Sequence, residues 1–106
     1  MKATQGGQQA TSPDQTARNI IAAQGCGACH TLKDANINGQ VGPPLDGLGA
    51  RAGSRVSGQS AADYVRQSLT DPKAFIVPGY VDAMPTYKDR LSGPELDLLV
   101  TYLLKQ

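Results

Sequence analysis

A chain of 106 residues is one small domain, with no room for a second hydrophobic core. Ten Lys and Arg against nine Asp and Glu leave a formal net charge of +1 with no long charge run, which argues against nucleic acid as a partner and against a strong basic docking patch. One Phe, four Tyr and no Trp are a thin supply of large apolar side chains, so a buried prosthetic group would sensibly complete the core.

Met1 to Thr11 is Gln, Gly, Thr and Ala, and reads as a flexible linker or a cloning remnant ahead of a domain over residues 12–106. It lacks the apolar run of a secretory signal, and no stretch of the chain is long and apolar enough to span a membrane. Ser12-Pro13-Asp14-Gln15 combines an N-cap serine, proline at the first helical position and a capping-box glutamine, which predicts a helix from Pro13. Ala17, Ile20, Ile21 and Ala23 or Gln24 follow the helical period, and Gly25 ends the run just before Cys26-Gly27-Ala28-Cys29-His30. Residues 39–58 and 72–94 are rich in Gly and Pro and read as long wrapped loops. Between them a helix starts near Ser60, carries Ala61, Tyr64, Val65, Ser68 and Leu69 on one side, and must finish before Pro72. Ser92-Gly93-Pro94-Glu95 is a second capping box, opening the clearest amphipathic helix, with Leu96, Leu99, Val100 and Leu103 at helical spacing and Tyr102 beside them. No alternating strand pattern appears, so the fold class is all-α: three main helices plus long loops.

The Cys26–His30 stretch reads as the covalent attachment site of a c-type haem. Two thiols add across the two vinyl groups, and the following histidine reaches the iron, which fixes residue types and order. A thioredoxin-like dithiol would need a strand-helix-strand context that is not seen. A zinc site would need further Cys or His ligands, and the chain has two Cys and one His in all. A structural disulfide closing so small a loop would add little stability. An electron-carrying iron held by one histidine wants a soft, neutral, slowly exchanging sixth ligand, and a thioether suits it. Met84 is the one methionine besides Met1, and it stands in a Pro- and Gly-bounded loop rather than on a helix face, where a gap-filling core methionine would more usually be found.

Over roughly residues 12–106 the chain resembles the class I cytochrome c family. The resemblance rests on the first helix running into Cys-x-x-Cys-His, the loop Gly42-Pro43-Pro44-Leu45, a middle helix ending in Asp71-Pro72, the loop Val77-Pro78-Gly79-Tyr80-Val81-Asp82-Ala83-Met84-Pro85, and the last helix bearing Tyr102. It is similar in particular to bacterial cytochromes c and to cytochrome domains fused to respiratory oxidases. The resemblance implies a cytochrome c fold wrapped round one haem c. It also implies that the carbonyl of Pro43 accepts a hydrogen bond from the His30 ring, and that Arg51 lies near a haem propionate, with Arg55 able to share or replace it. Two departures matter. The family's aromatic in the first helix is Ile21 here, expected to pack on Tyr102. The tryptophan that often bonds a propionate is absent, which leaves Tyr64, Tyr80 and Tyr87 as unranked candidates.

The expected function is single-electron transfer with His30 and Met84 as the iron ligands, between respiratory or photosynthetic partners such as an oxidase, a bc-type complex or a dehydrogenase. The protein is expected to be a carrier rather than an enzyme, and a monomer. Docking is expected through Gly27, Ala28, Val41, Gly42, Pro43 and the Ala83-Met84-Pro85 segment, small and apolar. Alternatives are the electron-input module of a terminal oxidase (subunit II type) or of a dehydrogenase and, more remotely, a haem sensor or peroxidase-like domain. Covalent haem attachment takes place outside the cytoplasm, so a location in the periplasm or on the outer face of the cytoplasmic membrane of a bacterium is expected, with the export signal or membrane anchor lying outside this sequence.

Overall fold

The structure, a computed structural model, describes residues 12–106. The linker expected over residues 1–11 therefore lies outside the described residues. Among the described residues there are four α-helices: α1 (Pro13–Ala23), α2 (Leu48–Arg51), α3 (Ala61–Thr70) and α4 (Gly93–Leu104). Single 3-10 turns follow at Cys26–Ala28, Lys33–Ala35, Ala52–Ser54 and Pro72–Ala74. The all-α class stands, with two additions to the predicted three helices. One is the four-residue α2. The other is a two-residue antiparallel ladder, β1 (Thr31–Leu32) with β2 (Ile37–Asn38), pairing Thr31 with Asn38 and Leu32 with Ile37.

The three long helices begin where their caps dictate. Ser12 Oγ accepts from the Gln15 amide at 3.1 Å, and Ser60 Oγ accepts from the Asp63 amide at 3.1 Å. At α4 the capping box is reciprocal: Ser92 Oγ accepts from the Glu95 amide at 3.2 Å, while Glu95 Oε1 accepts from the Ser92 amide at 2.9 Å. Helix α1 stops because Gly25 takes a left-handed conformation at φ +74°, which turns the chain into the cysteine pair. Helix α3 stops ahead of Pro72, whose ring forbids helical backbone at Asp71.

Helix α4 packs against both α1 and α3. Their buried faces supply the core: Ala17, Ile20 and Ile21 from α1, Tyr64, Val65 and Leu69 from α3, and Leu96, Leu99, Val100, Tyr102 and Leu103 from α4. Each buried aliphatic here contributes roughly 1.5–3 kcal/mol, so this three-helix contact is the main stabilising element. Ala23 does not join it and is exposed, since it lies past the buried face of α1. Ile21 and Tyr102 are both almost fully buried in this core.

The Tyr102 hydroxyl makes a contact that the sequence did not announce, donating to Asp34 Oδ2 at 2.5 Å. Arg18 Nη1 reaches the same oxygen at 2.9 Å. Asp34 lies in the turn between β1 and β2, so one carboxylate ties that hairpin to α1 and α4. The hydrogen bond from Tyr102 holds the Asp34 carboxyl below its ordinary range, against the opposing effect of burial, with the Arg18 guanidinium adding to it. Burial, and then the bond to Asp34, push Tyr102 from its ordinary 10 up to about 12. Helix α2 is seated on the end of α4 through Gly49, whose amide donates to Gln106 O at 3.1 Å. A Cβ there would stand 2.1 Å from Leu104 O, so only glycine permits this approach.

Candidate haem site

The 3-10 turn at Cys26–Ala28 places the two thiols three residues apart on the wall of one cleft. Both cysteines are half-buried and unpaired. Burial pushes the Cys26 thiol up, and a hydrogen bond with Tyr87 opposes the shift. Tyr87 is itself raised by burial and, next, by its proximity to Cys26. Its hydroxyl also reaches Gln24 O at 3.4 Å, so it bridges the end of α1 and the first cysteine.

His30 follows and is held from several directions. Its Nδ1 lies 2.7 Å from Pro43 O. A carbonyl oxygen accepts only, so Nδ1 carries the proton, and in the neutral ring Nε2 is left with the lone pair that can bind a metal. Around it the backbone is closely tied: the Gly39 amide donates to His30 O at 2.8 Å, Gly42 N to Cys29 O at 2.6 Å, and Leu45 N to Thr31 O at 2.8 Å. Gly42 presses its backbone against the imidazole so closely that a Cβ there would lie 2.6 Å from Cε1. The loop Gly42-Pro43 is thus a bracket for one ring orientation.

Met84 comes from the far side of the sequence and lines the same cleft, half-buried against the core. Its loop is anchored where it re-enters the fold: Thr86 Oγ1 donates to Thr70 O at 2.7 Å and the Tyr87 amide to Leu69 O at 2.8 Å. On the rim, Lys73 pairs with Asp82 at 3.0 Å. The inner wall of the cleft is largely apolar, with Ile21, Leu48, Val65, Leu69, Leu99 and Leu103 among its residues.

A family model described as Cytochrome c matches residues 15–106. The chain belongs to the cytochrome c family. These are haem-carrying electron-transfer proteins, and the mostly helical architecture agrees with their fold. A comparison with curated proteins found no match. The cytochrome's own residues fit a haem: two free thiols three apart, a histidine with its outer nitrogen locked to a carbonyl, a thioether and an apolar cleft, all on one surface.

The structure brings five of the six expected site residues to this cleft: Cys26, Cys29, His30, Pro43 and Met84. Arg51 stands apart. Its Nη1 donates to Asp46 O and its Nη2 to Pro44 O, both at 2.7 Å, so the guanidinium holds the loop together rather than lining the cleft. The arginine on the cleft wall is Arg55. Tyr64, Tyr80 and Tyr87 all line the cleft as well. Asp34 escaped sequence reasoning because its partner Tyr102 lies 68 positions away, with no local pattern linking them.

Proposed function

We propose that this cytochrome carries one haem c through thioethers from Cys26 and Cys29, with iron held by His30 and Met84, and passes single electrons between protein redox partners. The observation that carries the reading is the convergence of these four side chains, from two distant parts of the sequence, on one apolar cleft. When bound, haem supplies a single iron that cycles between ferric and ferrous states. His30 offers Nε2 in a fixed orientation, because Pro43 and Gly42 leave the ring no alternative. Met84 offers a soft, neutral donor, and a His/Met pair raises the potential. Both axial positions are then protein-filled, and the chain's single histidine is spent as a ligand, which suits electron transfer rather than chemistry on a small substrate.

The rim supports the choice of partner. Val41, Ile76 and Val81 expose 51%, 38% and 69% of their surface round the mouth of the cleft. The charged pair beside them, Lys73 and Asp82, is closed on itself. The fitting partner is a redox protein, such as an oxidase, a bc-type complex or a dehydrogenase, that docks through an uncharged apolar face. Its electron-transfer rate then changes little with salt. Maturation places the protein outside the cytoplasm, where haem is attached. Among the described residues no helix is long and apolar enough to cross a membrane.

Mass spectrometry of the denatured holoprotein tests the attachment. The chain is expected to keep the mass of one haem after unfolding, and Cys26→Ser/Cys29→Ser to lose it. A wild-type chain that releases its haem on unfolding contradicts the reading.

A further inference from the structure

Besides its thiols and tyrosines, the cleft wall carries His30, Asp82 and Arg55. His30 is bonded to Pro43, and Asp82 is neutralised by Lys73. Arg55 is different. Its Nη1 donates to the Tyr64 hydroxyl at 3.3 Å, and its guanidinium carbon lies 5.9 Å from the centre of the Tyr64 ring. Tyr64 is in turn buried and fixed edge-on to Phe75, with ring centroids 6.0 Å apart. The aromatic pair therefore pins the guanidinium at the wall. Yet that contact uses one of five guanidinium N–H donors. Among the described residues Arg55 has no carboxylate partner, and the Tyr64 hydroxyl, which accepts from Arg55, has no protein acceptor for its own proton.

An apolar cleft thus contains a half-buried cation and a hydroxyl, both donors without an acceptor. Such a cation is costly unless an anion joins it, and a guanidinium favours a planar carboxylate. We propose that Arg55 and the Tyr64 hydroxyl form a carboxylate-binding corner which, given the haem reading above, takes a propionate, while Arg51 serves only to hold the Pro44–Asp46 turn. The assignment separates two arginines four residues apart by what their donors already hold. A cation beside the haem favours the ferrous form, so Arg55 raises the reduction potential and Tyr64 positions it.

Spectroelectrochemical titration of the haem-loaded protein tests this. Arg55→Met is expected to lower the ferrous-to-ferric ratio at fixed potential about tenfold, equivalent to about 59 mV for a one-electron couple. Arg55→Lys, which keeps the charge, recovers most of that loss. Tyr64→Phe keeps the packing, removes the hydroxyl, and shifts the ratio about two- to threefold the same way. This variant also decides the matter if Arg55→Met fails to load. Arg51→Met is expected to lower thermal stability while moving the potential less than Arg55→Met does. An unchanged potential in Arg55→Met or Tyr64→Phe, or a larger shift in Arg51→Met, overturns the assignment alone. A wild-type chain without covalent haem overturns the underlying reading instead.

Discussion

The two walls of the cleft are built differently. On the His30 side, a short ladder, a turn held by Arg51, and backbone bonds to Gly39, Gly42 and Leu45 surround the ring, and Asp34 fastens that hairpin to α1 and α4. On the Met84 side, residues 76–86 have two short-range backbone bonds, from Tyr80 N to Val77 O and from Ala83 N to Val81 O. Beyond these, Thr86 and Tyr87 anchor the C-terminal end and one exposed ion pair tethers Asp82. The contrast shows a division of labour in which one wall fixes a ligand's orientation and the other delivers a ligand on a lightly tethered loop. Substitutions on the two walls should therefore have very unequal effects.

The largest structural effect is expected from Gly42→Ala. The new methyl would lie 2.6 Å from a ring that the Pro43 carbonyl prevents from yielding, so overpacking costs about 1–3 kcal/mol. For a domain of this size the thermal midpoint of the holoprotein falls by roughly 4–8 °C per kcal/mol. A midpoint unchanged in calorimetry would mean that the His30 wall is not rigid.

A smaller effect should come from the base of the same wall. Tyr102 keeps its proton up to about pH 12 when folded, against an ordinary value of 10. The unfolded chain therefore loses that proton first, and stability present below pH 10 is lost as pH rises towards 12. Denaturant titrations across this range should show the decline, and Tyr102→Phe should flatten it. At the acid end Asp34 acts in the opposite sense: its lowered value stabilises the fold above the ordinary carboxylate range, and that contribution disappears as pH falls. An alkaline decline identical in Tyr102→Phe would remove the Asp34–Tyr102 link from the account.

The smallest effect is expected on the Met84 wall from Lys73→Ala. The pair is solvent-exposed, with side-chain exposures of 75% and 41%, and such bridges contribute about 0–1 kcal/mol. Chemical denaturation should place the variant within about 0.5 kcal/mol of wild type. A larger loss would show that the loop depends on this tether more than the contrast allows.

These unequal walls also explain what the sequence revealed. Helices α1, α3 and α4 were legible because Ser12, Ser60 and Ser92 mark their starts and apolar residues recur at the helical period. Helix α2 was not, since four residues complete barely one turn, and the two-residue strands are too short to alternate. Cys26, Cys29 and His30 announce themselves by spacing, and Met84 by its scarcity and loop setting. The roles of Arg51 and Arg55 could not be separated in sequence, because both fall in the Gly- and Pro-rich stretch 39–58 with no pattern to tell them apart, and only the carbonyls of Pro44 and Asp46 show which one is already occupied. The Asp34 hub depends on tertiary contact alone.

The ferric absorption spectrum of the holoprotein tests the central claim most directly, through the weak far-red band that thioether ligation gives to a haem of this family. Wild type should show the band, and Met84→Ala should lose it while retaining covalent haem. A band that survives in Met84→Ala, or that wild type never shows, would contradict the convergence of His30 and Met84 on one iron.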